Sequence, residues 1–549
     1  MTISETTAAA STAQNSEVDA APAQPVEVDA ALTGPGYGSL SVAAILADTA
    51  HRRSASPAIS WAGGTITCGE LWNETRAYAG ALKARGIGRG DRVAVLIPNV
   101  PDFPRVYYAV LSLGAVVVPI HLLFKSEEIG FVLRDSSAKL LIAAAPVLAE
   151  GAKAAGAMGV PVLSVLLPDE LTATVPVPRL EDEARAATPI ERYEPMNPLD
   201  AATILYTSGT TGRPKGAVGS HLALVEQVNV ALVDMFDLSS SDVVFGGLPL
   251  FHTFGQTSVM NISFRSGACV LFLPKFDGSE ALDLMQKFGA TVFTAVPTMF
   301  IALLQAAASN SARPPLRYAV SGGSALPLAV LEAFSTTFDA EVHEGYGLTE
   351  TSPVVTFNHV GEPVKPGTVG RPMWGVEAEI ADAELEGEIR LLPHGELGEI
   401  VVRGHNLFKG YLGNPDASAA AMVDGWFRTG DLGTKDDDDY LTIVDRKKDM
   451  IVRNGYNVYP SEVEDVIMRH PSIANVAVFG LPHETHGQEV NAAVVLKAGA
   501  SATPDEVIAF AQEHLAAYKF PRSVHFVAEL PLGASGKVLK RQLVLDFAE

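Results

Sequence analysis

The 549-residue sequence has only two cysteines, Cys68 and Cys269. Two thiols so far apart make neither a disulfide framework nor a metal-ligand cluster, and a reducing cytoplasm suits them best. Basic residues are also few: 40 Lys and Arg against 63 Asp and Glu leave a net charge of −23. That excess argues against general affinity for nucleic acid or an anionic membrane, although local basic clusters can still hold an anionic cofactor. The first 38 residues contain no Lys or Arg. They therefore lack the basic start of a secretory signal and the arginines of a transit peptide. Their Ala, Ser, Thr, Glu and Pro content predicts a disordered tail over 1–38. Long uncharged runs are rare too. Residues 106–124 hold no Asp, Glu, Lys or Arg, but Gly114, Pro119 and His121 interrupt them. The run predicts the end of a buried helix, a glycine stop and a strand over 115–120, not a membrane span.

Apolar residues make up 48% and charged residues 19%, enough to build large cores in a chain long enough for three or four domain-sized units. From residue 39 helix and strand signals alternate. Leu71, Trp72, Thr75, Tyr78, Ala79 and Leu82 mark one helical face, with Gly86 as its stop. Strands at 93–97, 115–120 and 139–143 alternate with helices ending near 113 and spanning about 127–134. This is βαβ patterning, and it predicts an α/β fold with a mainly parallel sheet covered by helices. The pattern returns in strands 291–295, 317–320 and 341–343. The last two run into the glycine loops Ser321-Gly322-Gly323-Ser324 and Gly345-Tyr346-Gly347, where open α/β sheets place ligands. Beyond 365 the chain turns to short strands between Gly and Pro turns. The four carboxylates at 436–439 are compatible with a metal site but read better as a solvated turn before a strand at 440–444. A charged break at 445–449 precedes an α/β unit of about 100 residues. Ser461-x-x-Glu464 and Thr503-x-x-Glu506 both have the form of a capping box.

The segment 206–217, Tyr-Thr-Ser-Gly-Thr-Thr-Gly-Arg-Pro-Lys-Gly-Ala, follows an apolar strand. Hydroxyls, glycines and a lysine at this density can wrap a polyphosphate with O–H, backbone N–H and a cation. It is not a Walker A loop, because Pro214 precedes Lys215 and Gly216 follows it, so no helix opens on that lysine.

This segment closely resembles the phosphate-binding signature of the adenylate-forming superfamily, whose members include acyl-CoA synthetases, firefly luciferase and peptide-synthetase adenylation domains. The resemblance spans about residues 40–545 and implies that Thr207, Ser208, Gly209, Thr210, Thr211, Gly212 and Lys215 bind ATP. Tyr346-Gly347-Leu348-Thr349-Glu350-Thr351 resembles the second signature. There Thr349 is expected on phosphate and Glu350 on Mg²⁺, which takes few protein carboxylates and completes its shell with substrate phosphate. Ser321-Gly322-Gly323-Ser324 resembles the strip that packs on adenine, and Gly345, Tyr346 and Gly347 are expected among the other residues that bind the nucleotide. Asp431, in Phe427-Arg428-Thr429-Gly430-Asp431-Leu432, resembles the ribose ligand, Arg446 its second contact and Lys448 the hinge. Ser535-Gly536-Lys537-Val538 resembles the catalytic lysine segment, with Leu532 and Gly533 where the family has a basic residue and a threonine. His252 resembles the aromatic residue between acyl pocket and pantetheine tunnel.

The resemblance implies a domain over 39–445 built from parallel α/β subdomains and a small β-rich part. A hinge at 446–448 and a smaller mobile α+β domain over 449–549 follow. It further implies that a carboxylic acid is adenylated and that the C-terminal domain then turns about Lys448. This withdraws Lys537 and brings Gly455 to the tunnel, where coenzyme A takes the acyl group. The stretches 252–260, 298–303 and 346–355 hold His252, Phe254, Met260, Met299 and Phe300 and no Lys or Arg. That disfavours acids carrying a second charge. A medium- or long-chain fatty acid is the expected substrate. The alternatives are an aryl or cinnamate-type acid, or a carrier protein as acceptor in place of coenzyme A. A homodimer is one assembly open to such a chain.

Overall fold

The computed structural model describes residues 40–207, 214–311, 313–533 and 538–548. The expected tail over 1–38 lies outside the described residues, as do Ser208, Gly209, Thr210, Thr211, Gly212 and Lys537.

Four sheets organise the described residues. The first has six strands, in the order Val162–Val165, Leu140–Ala144, Arg92–Leu96, Val116–Pro119, Ala201–Thr207 and Lys215–Ser220. All pairs are parallel except the last, a hairpin with Thr207 opposite Lys215. The second sheet has nine strands. Its parallel centre includes Val243–Gly246, Val292–Ala295, Tyr318–Ser321 and Glu341–Gly347. The predicted α/β class is therefore the observed one. The third sheet is antiparallel and contains Val376–Ala381, Gly398–Gly404, Trp426–Lys435 and Leu441–Arg446. The fourth belongs to the C-terminal unit, where Ile473–His483 and Gly487–Leu496 pair beside the hairpin Ile451–Arg453/Tyr456–Val458.

Local sequence explains several boundaries. The helix Cys68–Ala84 opens on a capping box between Thr67 and Glu70. It closes where Ile87 N–H bonds Leu82 O and Gly86 N–H bonds Lys83 O, with Gly86 at φ +78°. That is a Schellman stop, which needs the left-handed residue glycine supplies. The uncharged run resolves as expected into the helix Asp102–Ser112, Gly114 at φ +67° and the strand Val116–Pro119. The helix is buried almost throughout, and both of its tyrosine hydroxyls bond Asn261, as buried phenols require. Among the described residues no helix is long and apolar enough to cross a membrane.

One capping expectation fails. Thr503 and Glu506 do form a capping box, but Ser461 and Glu464 do not. Pro460 already occupies the first turn of the helix Pro460–Ile467 and Tyr459 is its N-cap. Ser461 therefore lies inside the helix, and its N–H bonds Asp445 Oδ2 at 2.8 Å. Glu464 turns away to pair with Lys540 at 2.8 Å. The acidic run is a turn, as its composition suggested: Asp436 accepts from the N–H groups of Asp438 and Tyr440 and pairs with Lys365.

Candidate active site

The hairpin register places Lys215 beside Thr207 at the mouth of the loop 208–213. Lys215 Nζ stands 5.1 Å above the ring of Tyr411, a contact that holds the cation without neutralising it. Tyr411 comes from a segment that sequence reasoning missed. Residues 409–412 are stitched to the strand Lys215–Ser220 by Lys409 N–H to Val218 O, Val218 N–H to Gly410 O and Leu412 N–H to Gly216 O, at 2.8, 3.1 and 2.8 Å. Sequence offered no signal for this, because the contacts are between backbones almost 200 residues apart.

Tyr411 also donates its hydroxyl to Glu350 Oε1 at 2.8 Å. Burial, and then the neighbouring Glu350 carboxylate, raise the Tyr411 pKa, so the phenol stays a neutral donor. Glu350 is 8% exposed, and among the described residues no cation pairs with it. A nearly buried carboxylate with one neutral donor and spare lone pairs fits a hard divalent cation that keeps most of its shell for water and phosphate. Thr349 and Glu350 lie in the short turn Thr349–Thr351, just beyond the strand Glu341–Gly347. Gly347 makes that junction: a Cβ there would sit 1.8 Å from Pro353 O.

The strand that supplies Gly347 also supplies Tyr346, whose hydroxyl donates to Asp431 Oδ2 at 2.6 Å. Asp431 Oδ1 meets Arg446 Nε at 2.8 Å, and the two face each other in register across antiparallel strands. Asp431 is 3% exposed. Asp431, followed by Tyr346, Asp449 and Glu350, keeps the Arg446 guanidinium charged against the effect of burial. Asp431, Arg446, Tyr346 and Glu350 thus form one electrostatic neighbourhood drawn from three strands and a turn.

The glycine strip closes another side. A Cβ on Gly322 would meet the Phe254 ring at 3.1 Å, with Gly345 O at 3.5 Å. The absence of a side chain at 322 therefore leaves a flat surface between Phe254 and the end of the strand Glu341–Gly347. Gly323 has φ +86° and Ser324 is exposed. His252 is half-buried at the start of the turn Thr253–Gly255, where its Nδ1 accepts from Phe254 N–H at 3.2 Å. Asn99, another residue the sequence did not flag, fixes the approach to it. Its amide donates to Gly246 O and Leu248 O and its oxygen accepts from Leu250 N–H.

Not every expected residue joins the cluster. Phe300 packs on Phe293 and Phe334 at 5.1 and 4.7 Å inside the core, so it is no pocket wall. Lys448 is exposed in the turn after Arg446. Gly455 stands at an open hairpin tip, with φ +78° and no atom within 4 Å of where its Cβ would lie. A buried carboxylate paired with arginine, a second carboxylate with spare lone pairs and a lysine next in sequence to a run of hydroxyls are groups whose chemistry suits a nucleotide and a divalent cation.

Comparison with known proteins agrees with that class. Residues 46–412 match the family model of the AMP-binding enzymes, and residues 462–537 match that of the AMP-binding enzyme C-terminal domain. The chain belongs to the AMP-binding enzyme family. It is similar to a long-chain-fatty-acid–CoA ligase of Bacillus subtilis, 34% identical across 92% of this chain and 94% of that one. It is also similar to the crystal structure of ATP-bound MatB from Rhodopseudomonas palustris. There the TM-score is 0.83 at 34% identity, over 92% of this chain and 99% of that chain. An anthranilate CoA ligase, AuaEII, in complex with anthranoyl-AMP gives a TM-score of 0.87 at 26% identity, over 93% of this chain and 98% of the other. The enzyme class of the chain is that of the acyl-CoA ligases.

Proposed function

We propose that the chain activates an apolar carboxylic acid as its acyl-adenylate, with release of pyrophosphate, and passes the acyl group to coenzyme A. The observation that carries the reading is the Tyr346–Asp431–Arg446 cluster within reach of Glu350. Asp431 has the oxygens to accept both ribose hydroxyls, and Arg446 Nε, 2.8 Å from Oδ1, aims the carboxylate. Thr207, Lys215 and the loop 208–213 would receive the phosphates, and Gly322 and Gly345 would let adenine lie flat on backbone. Glu350 would hold Mg²⁺, which when bound neutralises charge on the phosphate oxygens. The carboxylate oxygen attacks the α-phosphorus as the bond to the pyrophosphate oxygen breaks. Lys537 and Thr349 would offset the charge that develops there. The coenzyme A thiolate then attacks the acyl carbon and AMP leaves with the oxygen that joined it. Lys448 would be the pivot between the two steps, with Gly455 carried to the thiol path and His252 standing between acyl group and thiol.

A medium- or long-chain fatty acid is the first substrate reading. Phe254 and Met299 are apolar, the first half-buried and the second buried, in the same core cluster as Val259 and Met260, and none of the four carries charge. A second reading, an aryl acid carrying a hydrogen-bonding substituent, draws on one observation. Thr253 Oγ1, Gln256 Oε1 and Thr257 Oγ1 are buried on this wall with no hydrogen-bond partner among the described residues, and such atoms gain from a polar ligand. A panel of fatty and hydroxyaryl acids with ATP and Mg²⁺, with and without coenzyme A, tests both. Pyrophosphate from alkyl acids and acyl-CoA only when the thiol is present support the first reading. Turnover confined to aryl acids supports the second, and no pyrophosphate from any acid overturns the proposal.

A further inference from the structure

The hairpin joining Ile473–His483 to Gly487–Leu496 carries a cluster that plays no part in the chemistry above. His483, His486 and Glu489 each offer a ligand atom within 4.8 Å of the others. The two imidazoles lie face to face, 4.5 Å apart and 13° from parallel. His486 Nδ1 is 2.8 Å from Asn454 Oδ1. An amide oxygen only accepts, so Nδ1 carries the proton and Nε2 presents its lone pair outward. Metal-bound histidines characteristically have their second nitrogen tied to an acceptor in this way. His483 Nδ1 accepts from Thr485 N–H at 3.3 Å, with Thr485 Oγ1 also 3.3 Å away, so this exposed ring offers its lone pair to a cation by turning away from Thr485. Glu489 is oriented by Arg453, with bonds of 2.6 and 3.1 Å to its two oxygens. His486 and Glu489 thus have their outer partners already in place.

We propose that His483, His486 and Glu489 form a site for a borderline divalent transition cation, Zn²⁺ being the type case, distinct from the Mg²⁺ position at Glu350. Two imidazoles and one carboxylate suit Zn²⁺ and not Mg²⁺, which prefers oxygen. Tetrahedral ligands at ordinary Zn–N and Zn–O lengths stand about 3.4 Å apart. The spacing here closes to that by rotation of the exposed His483 side chain. Water completes the shell.

The site is bonded directly to the loop that ends in Gly455. Asn454 N–H donates to His486 O at 2.9 Å, Arg453 pairs with Gly487 in register, and Val452 N–H bonds Gln488 Oε1. Asn454 and Gly455 are both left-handed, at φ +53° and +78°. A cation that fixes His486 and Glu489 therefore fixes their partners Asn454 and Arg453, and the loop loses the freedom to reshape. Resting on the function proposed above, the cation is an inhibitor of thiol transfer that leaves adenylation untouched.

The test uses the full chain and ZnCl₂. Calorimetry is expected to show one site per chain, weakened at least about tenfold in His486→Ala and in His483→Ala. Hydrogen exchange of the 452–458 amides should slow on saturation with Zn²⁺ in the natural chain and not in the double variant. Equal Zn²⁺ affinity in natural and double-variant proteins overturns the site. Binding without slowed exchange overturns the coupling. With an acid that turns over, Zn²⁺ should lower acyl-CoA formation and spare pyrophosphate exchange. A chain that binds Zn²⁺ as described but activates no acid refutes the proposed function and leaves the metal site standing.

Discussion

Arg446 and Asp431 face each other across two antiparallel strands, Nε to Oδ1 at 2.8 Å, while the hydroxyl of Tyr346 holds the other carboxylate oxygen at 2.6 Å. The carboxylate is buried and both of its oxygens are aimed. On the proposed function the two partners should contribute unequally to nucleotide binding. Tyr346→Phe removes one hydrogen bond and should raise the ATP KM roughly three- to tenfold, about 1 kcal/mol. Asp431→Asn removes the charge that keeps Arg446 compensated and should cost about 3 kcal/mol, roughly a hundredfold or more in ATP affinity. Pyrophosphate release at varied ATP separates them, and equal effects would contradict the arrangement.

Tyr411 bridges the lysine and the acidic side of the site, with its ring under Lys215 and its hydroxyl on Glu350. Tyr411→Phe keeps the ring and loses the hydroxyl. It should leave the fold intact and raise the Mg²⁺ concentration for half-maximal rate by roughly ten- to a hundredfold, the effect of one hydrogen bond to a charged group. Titration of activity with Mg²⁺ at fixed ATP measures this. An unchanged Mg²⁺ profile with altered acid KM would place Tyr411 elsewhere in the reaction.

Two helices of the C-terminal unit, Pro504–His514 and Pro460–Ile467, differ in how they begin. Thr503→Ala should destabilise that unit by about 1 kcal/mol, because it removes a true N-cap. Ser461→Ala should change stability by less than about 0.5 kcal/mol, since its hydroxyl caps nothing and the Asp445 bond goes to its backbone N–H. Asp445→Ala should be the costly change at the second helix. Urea unfolding of the three variants decides the order.

Glu344, next to the glycine strip, has its carboxyl pushed from 4.5 to about 7 by burial, with the Asp465 carboxylate of the helix Pro460–Ile467 adding to the rise. A raised pKa means that the folded protein binds the proton more tightly than the unfolded one. The stability linked to this proton is full below pH 4.5 and is lost as pH rises through about 7. The loss is on the order of 3 kcal/mol. Glu344→Gln should abolish that part of the pH dependence. Denaturation midpoints between pH 5 and pH 8 for the natural chain and the variant test it, and parallel curves would contradict it.

What the sequence made legible follows physical range. The helix Cys68–Ala84 and its Gly86 stop were readable because an apolar face and a left-handed glycine act within a few residues. The strand-end glycines, Glu350, Asp431 and Arg446 could be singled out as candidates because their motifs are contiguous. Tyr411 and Asn99 were not, since their roles come from bonds to chain more than sixty residues distant. The Tyr346–Asp431 bond spans 85 positions and joins two motifs that the sequence treats separately. Ser461-x-x-Glu464 misled because the pattern is local but Pro460 had already started the helix. Phe300 misled because an aromatic beside the expected pocket is equally suited to the core it joins.

The central claim is that the acid is activated through its own oxygen as an acyl-adenylate. An acid that supports turnover, labelled with ¹⁸O in its carboxylate, tests it in one measurement by mass spectrometry of the products formed with ATP and coenzyme A. The account predicts one labelled oxygen in AMP and none in pyrophosphate. Formation of ADP and phosphate, or AMP free of label, would contradict it.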